Sequence, residues 1–408
     1  MNKRVVRIGT LLVVGALIVW CASRWKAWFH NPEEDPYVPS AVPTRVLLTF
    51  GDEDGMHSRN ISWMCGDSVQ EAYVELLEGD TTGIYAYSKI EAVGEVFESR
   101  GGKAAYYVAR LRNYFPNPTH LYRVCTGGKV SPWYRTYVPK EEDDTETAFI
   151  YMGDIQDSIG GIANRLLKEA FRRNPDAEFL VCGGDLTERP TDAYWGETFA
   201  SLDSIGQAVP VLTVTGNHDY LKGVVCTLER RFSLIHSYFL DSMVGENQVF
   251  TVRYKDVQFF CLDSNRELPY LWTQRQWLEE KLAGSEAKWK VVVLHHPLYS
   301  VKGSMNNLLQ RWVFDDLLQK YGVDLVLQGH EHAYARRSPR AHEGGGRIDI
   351  ISHCSPKGYR IDPPEGRFDK IEKDIRTYQK VRIHGDTLVI TAFDAEKGMR
   401  VDSVSIYK

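Results

Sequence analysis

Phe179-Leu180-Val181-Cys182-Gly183-Gly184-Asp185-Leu186 is the stretch whose reading decides the fold. Four apolar residues in a row read as a short strand, bounded by glycines that end it. The glycines let the backbone turn sharply and approach a ligand, and the first polar side chain after the turn is a carboxylate. In open α/β sheets the carboxyl ends of strands form the ligand crevice, so Asp185 is expected to face one.

The same arrangement recurs along the chain. An apolar run at 148–152 precedes Gly153-Asp154-Ile155-Gln156, and one at 211–214 precedes Gly216-Asn217-His218-Asp219. Residues 291–294 lead into His295-His296-Pro297, and 324–327 lead into Gly329-His330-Glu331-His332. Helical periodicity occupies 162–173, 273–282 and 308–321, while 249–254, 257–262, 380–383, 387–394 and 400–406 read as further strands. Alternation of this kind predicts an α/β domain of α/β/β/α layers over residues 146–408.

Upstream, runs at 46–50, 60–65, 72–77, 104–111 and 120–125 lie between Gly/Asp/Asn turn clusters and lack helical periodicity. They predict an all-β sandwich over residues 40–140, joined to the second domain by a charged linker at 139–146. Lys3, Arg4 and Arg7 precede an apolar run at 8–22, which Arg24 and Lys26 close. That is the layout of an export signal within residues 1–30. It is short for a membrane span, which needs about 20 apolar residues. No small-x-small cleavage site follows, so an uncleaved membrane anchor stands beside a cleaved signal. Cys21 raises lipidation, against which Trp20 sits where a small residue is wanted. On each of these readings the folded part lies outside the cytoplasm, periplasmic, extracellular or membrane-anchored.

The chain has 408 residues, 43% of them hydrophobic, enough for the cores of two domains. Its formal charge of −5 is spread without a basic block, so no nucleic-acid partner is expected. Of seven cysteines, Cys182 and Cys261 end apolar runs and read as core thiols. No CxxC pair supports a structural zinc, and Cys65 with Cys125 is a candidate disulfide for an exported sandwich. Asn60-Ile61-Ser62 fits a glycosylation sequon. Trp272, Trp277, Trp289 and Trp312 are expected to pack in the core.

Each polar segment alone has an ordinary explanation, because Gly-Asp after a strand is usually a turn or a cap. Together the segments offer two carboxylates, an amide oxygen and three imidazoles, a donor set suited to Zn, Mn, Fe or Mg. Neighbours in an extended chain point to opposite faces, so His295 and His296 should not both reach one ion. Pro297 bends the chain next and leaves His296 between a rim role and packing. Tyr299, Tyr334, Arg336, Arg337, Lys357 and Arg360 are rim candidates, with loops 302–307 and 344–346 as substrate determinants. Asp263-Ser264-Asn265 also ends a strand, and turn chemistry accounts for it.

These blocks resemble the signature segments of calcineurin-like metallophosphoesterases, nearest to the purple acid phosphatases, which carry an N-terminal fibronectin-like sandwich. Ile61-Ser62-Trp63 and His120-Leu121-Tyr122-Arg123-Val124 resemble strands of that sandwich. The resemblance implies two metal ions, divalent or of mixed valence, drawn from Fe, Mn and Zn. Asp185 would bridge them, Asp154 and His332 would hold the first, and Asn217, His295 and His330 the second. His218 would reach the substrate and protonate the leaving group, with Asp219 orienting its ring. The implied reaction is hydrolysis of phosphomonoesters by a metal-activated water; a phosphodiesterase on the same site and a non-catalytic envelope binding protein are the alternatives. Two departures stand out. Glu188 occupies the place of the purple enzymes' tyrosine, which argues against a ferric phenolate. Gln156 occupies the place of a histidine found in many relatives and is taken as a ligand of the first ion, with Glu188 as its competitor.

Overall fold

The computed structural model describes residues 3–78, 87–112, 120–136, 146–238, 248–303, 305–338 and 346–408. Phe179–Cys182 is a strand with every residue buried, and its neighbours Thr147–Met152 and Val211–Thr213 run parallel to it. On the far edge of Thr147–Met152 lies Thr377–His384, followed through antiparallel pairings by Thr387–Asp394 and Arg400–Tyr407. A second sheet of seven strands is built around Val257–Cys261, Trp289–Val293, Leu325–Gln328 and Ile348–Ile351, all parallel.

Strand alternation explains how the layers stack. Phe179 and Val181 point to one face and meet Phe259, Val291 and Leu325 of the second sheet. Leu180 and Cys182 point the other way, onto Leu166, Leu167 and Trp195 of helices Ala163–Arg173 and Asp192–Leu202. The second sheet's outer face, with Phe260 and Val292, is covered by Leu278 and Phe314 of helices Leu268–Ala283 and Leu308–Lys320. The result is α/β/β/α. Each fully buried Phe or Leu at these faces contributes about 1.5–3 kcal/mol, so the layers need no other glue.

The N-terminal region is sheet-rich and antiparallel, with Val46, Ile61, Trp63, Val74, Tyr107 and Val124 in one core. Strand Tyr87–Glu98 makes the fold-over: its first half pairs with Ala72–Glu78 and its second with Lys103–Leu111. Sequence periodicity does not reveal this strand, because its charged residues and its exposed Val93 (74%) and Val96 (42%) dilute the apolar signal. Helix Asp192–Leu202 was likewise missed, its acidic and glycine residues masking a buried face of Trp195, Phe199 and Leu202.

Several expectations need correction. Cys65 and Cys125 are free and buried, Cys65 beside Thr126 and Cys125 beside Tyr73, so they form no disulfide. Asn60 is buried, with its amide donating to the Ser237 carbonyl, which leaves the sequon no room for a glycan. Trp277 and Trp289 are core residues, but Trp272 and Trp312 are exposed and pack on each other, ring centroids 5.8 Å apart. Residues Lys3–Phe29 form a helix, and among the described residues no helix is long and apolar enough to cross a membrane. Most of the linker at 139–146 and positions 344 and 345 of one substrate loop lie outside the described residues.

Candidate metal centre

The strand ends converge as their polar residues suggested. Asp154, Asp185, His330 and His332 all have left-handed backbones, with φ of 44°, 51°, 70° and 47°. Such conformations cost a non-glycine residue roughly 1–3 kcal/mol and persist where the surroundings over-determine them. Close approach does so here. A Cβ on Gly216 would lie 2.0 Å from the Asp185 nitrogen, and one on Gly329 would lie 2.4 Å from an Asp154 oxygen. Glycine is what allows these loops to touch.

On one side of the centre three donor atoms meet. Asn217 Oδ1 is 2.8 Å from His330 Nδ1 and 3.2 Å from His295 Nε2, and the two ring nitrogens are 3.3 Å apart. His295 Nδ1 lies 2.9 Å from the Gly183 carbonyl, which fixes the ring and turns Nε2 inward. Asp185 Oδ2 lies 3.3 Å from the same Nε2, and its Oδ1 accepts the His218 backbone N–H at 2.8 Å. On the other side, His332 Nε2 is 3.6 Å from Asp154 Oδ1, while its Nδ1 is 3.0 Å from the Lys357 carbonyl. Asp154, Asp185 and His295 each bring one ligand atom into a group spanning no more than 4.8 Å.

The donor set fits cations. Asp154 Oδ1 and both amide atoms of Gln156 are buried without a hydrogen-bond partner, although buried polar atoms are almost always paired. Two buried carboxylates stand together, and among the described residues no lysine or arginine forms an ion pair with either. Burial opposes ionisation of Asp185, yet His295, the nearby His218 and the His218 N–H hold it far below the usual carboxylate range. Burial pulls His295 down, but Asp185 and Asp154 raise it to about 9. Burial and the neighbouring His296 and His295 drive His330 well down, leaving its imidazole neutral and available as a ligand.

His218 is half-buried, and its Nδ1 lies 2.7 Å from the Glu188 carbonyl. Asp219 does not orient that ring. Its Oδ2 accepts the Gly216 N–H at 2.8 Å, and burial together with Asp185 pushes its acid well up, so it stiffens the Asn217 turn instead. Glu188 Oε1 is paired with Lys357, while its Oε2 is buried without a hydrogen-bond partner. His296 packs with its ring centroid 4.2 Å from that of His330 and its Nδ1 3.0 Å from Ser264 Oγ, so it supports a ligand.

Most of the rim candidates are structural. Tyr334 and Arg336 both bind Asp402, Arg337 binds Asp349, and Tyr299 donates to Asp315. The residues that do close over the centre are Lys302 and Tyr359. Lys302 Nζ donates to the His330 carbonyl at 3.2 Å and sits 3.7 Å above the Tyr359 ring, which lies 4.5 Å from that of His332. Two buttresses were also missed. Buried Glu331 accepts the Val301 N–H at 2.5 Å, and Asp263 accepts from Thr215 Oγ1 at 2.9 Å, just before Gly216. Both lie within or beside quoted motifs, and only packing tells their role from that of a ligand.

Residues 147–334 match the model of the family described as calcineurin-like phosphoesterase. Human acid phosphatase type 7 is 23% identical over 336 residues, covering 74% of this chain and 72% of that protein. An acid phosphatase of Aspergillus ficuum is 41% identical over only 89 residues, 21% of this chain and 14% of that protein. The structure of a purple acid phosphatase from yellow lupin seeds superposes with a TM-score of 0.74 at 18% identity, over 90% of this chain and 74% of that one. The chain carries a calcineurin-like metallophosphoesterase domain and stands near the purple acid phosphatases.

Proposed function

We propose that this protein hydrolyses phosphomonoesters outside the cytoplasm, using two metal ions held between Asp154 and His332. The observation that carries the reading is the pairing of two half-sites around Asp185. Asn217, His295 and His330 converge on one side, Asp154 stands with His332 on the other, and the buried Gln156 amide, whose backbone N–H bonds the Asp185 carbonyl, has no partner of its own. Asp154, Gln156 and His332 would hold the first ion, Asn217, His295 and His330 the second, and Asp185 both. Bound there, such a pair neutralises phosphoryl oxygens and activates a water for in-line attack.

The chain's own groups do the rest. The Glu188 carbonyl holds His218 at Nδ1, which leaves Nε2 to carry a proton to the departing alkoxide. The Lys302 ammonium adds positive charge near the phosphoryl site, and Tyr359 shields the His332 side from water. Glu188, engaged with Lys357, supplies no phenolate, so the ion pair is Fe, Mn or Zn without the purple ferric chromophore. The basic cluster and apolar run before residue 30 support export or anchoring.

His218→Ala tests the reading: both ions should be retained while kcat on 4-nitrophenyl phosphate falls roughly 10²–10⁴-fold. Near-normal turnover removes His218 from the mechanism. Faster cleavage of bis(4-nitrophenyl) phosphate by the unmodified chain replaces the monoesterase by a diesterase.

A further inference from the structure

A cavity of about 650 Å³ opens beside the metal centre, with Asn217 and His218 on one side. Another part of its wall is the chain at residues 30–33, which precedes the β-sheet region and is far from His218 in sequence. This wall is fixed at both ends. Asn31 Nδ2 donates to the Lys222 carbonyl at 2.9 Å, and the Lys222 N–H donates to Asn31 Oδ1 at 2.7 Å. Glu34, next along, accepts the Asp192 N–H at 2.7 Å and pairs with buried Arg231 at 2.5 Å.

Volume and charge define what fits. A phosphoryl group fills a small part of such a space, and His218 stands at its edge, so whatever departs from phosphorus next to His218 extends into it. Arg189 and Lys222 line the cavity, and among the described residues neither side chain makes an ion pair. Glu33 lines it too, whereas the Glu188 carboxylate is taken by Lys357. Two free cations against one free carboxylate favour an anion.

We infer that this cavity is the leaving-group subsite of the proposed phosphoesterase, on which reading the inference rests, and that it takes an alcohol bearing its own oxyanion, a carboxylate or a second phosphate. The wall at residues 30–33 is then part of the specificity apparatus.

The test uses the full chain, metal-replete, on ring-matched esters: 4-ethylphenyl phosphate, 4-(carboxymethyl)phenyl phosphate and 4-(phosphonomethyl)phenyl phosphate. The two anionic esters should exceed the neutral one in kcat/KM by about ten-fold, the scale of one charge-assisted hydrogen bond. Which anion is preferred separates the carboxylate from the phosphate source. Arg189→Ala combined with Lys222→Ala should bring the ratio close to one, and Asn31→Ala should lower it by loosening the wall. A second readout is binding: 4-hydroxyphenylacetate should give a ligand-observed NMR signal that 4-ethylphenol does not, and that the double variant loses. A wild-type ratio near one, or equal losses on all three esters, overturns the subsite and leaves the phosphoesterase standing. Release of phosphate from none of the esters overturns both.

Discussion

Two buried charged clusters in this molecule look alike and behave differently. In the first, Arg231 lies between Glu34 (2.5 Å) and Glu229 (3.1 Å), with side-chain exposures of 0%, 2% and 3%. It joins the N-terminal segment to the α/β domain, and its one arginine pairs with both carboxylates inside the chain. Burial pushes Glu229 up to about 7 while Arg231 pulls it down. In the second, Asp154 and Asp185 are buried as deeply, yet among the described residues their side-chain partners are the imidazoles of His332 and His295. Here the chain leaves its own charges unbalanced and several polar atoms unpaired. A cluster that carries its own arginine holds a structure together; one that gathers carboxylates, imidazoles and an amide is a socket.

Breaking each cluster should therefore give opposite signatures. Arg231→Met strands two buried carboxylates and should cost about 3–5 kcal/mol in denaturant unfolding, with turnover per folded molecule little changed. A loss under 1 kcal/mol would mean that the cluster is not what fastens this junction. Asp185→Asn should do the reverse. Without metal it should be destabilised less than Arg231→Met, because buried His295 loses one carboxylate but keeps the attraction of Asp154, while activity falls by at least about 10²–10³-fold. Marked destabilisation of the metal-free variant would place Asp185 among the structural charges instead.

A smaller effect sharpens the comparison from the side of pH. His236 is fully buried among Phe232, Trp195 and Tyr238, and burial lowers it to about 3. The unfolded chain binds that proton first, so stability is complete above about pH 6.5 and is lost as pH falls toward 3, by about 1.4 kcal/mol per unit. His236→Phe should flatten that part of the stability curve. An unchanged slope would assign the acid sensitivity to other groups.

The sequence was most legible where one local rule operated. Apolar runs ending in Gly-Asp, Gly-Asn or Gly-His marked the strand ends, and the structure brings Asp154, Asp185, Asn217, His295, His330 and His332 together there, with Gln156 bonded through its backbone N–H to the Asp185 carbonyl. It was least legible where a residue's partner is distant in the chain. Asp219 follows His218 directly, yet the ring is held by Glu188, thirty positions away. Arg336 and Arg337 follow the last motif, yet they pair with Asp402 and Asp349 rather than lining the mouth. Trp272 and Trp312 are apolar by type but lie on the solvent side of their helices, a matter of helix rotation that composition does not carry.

Metal content tests the central claim most directly. The chain, purified after growth with Mn, Zn and Fe and analysed by elemental mass spectrometry, should carry about two ions, and Asp185→Asn should carry none. Fewer than one ion per chain under those conditions, with phosphate release unaffected by chelator, would contradict the two-metal account.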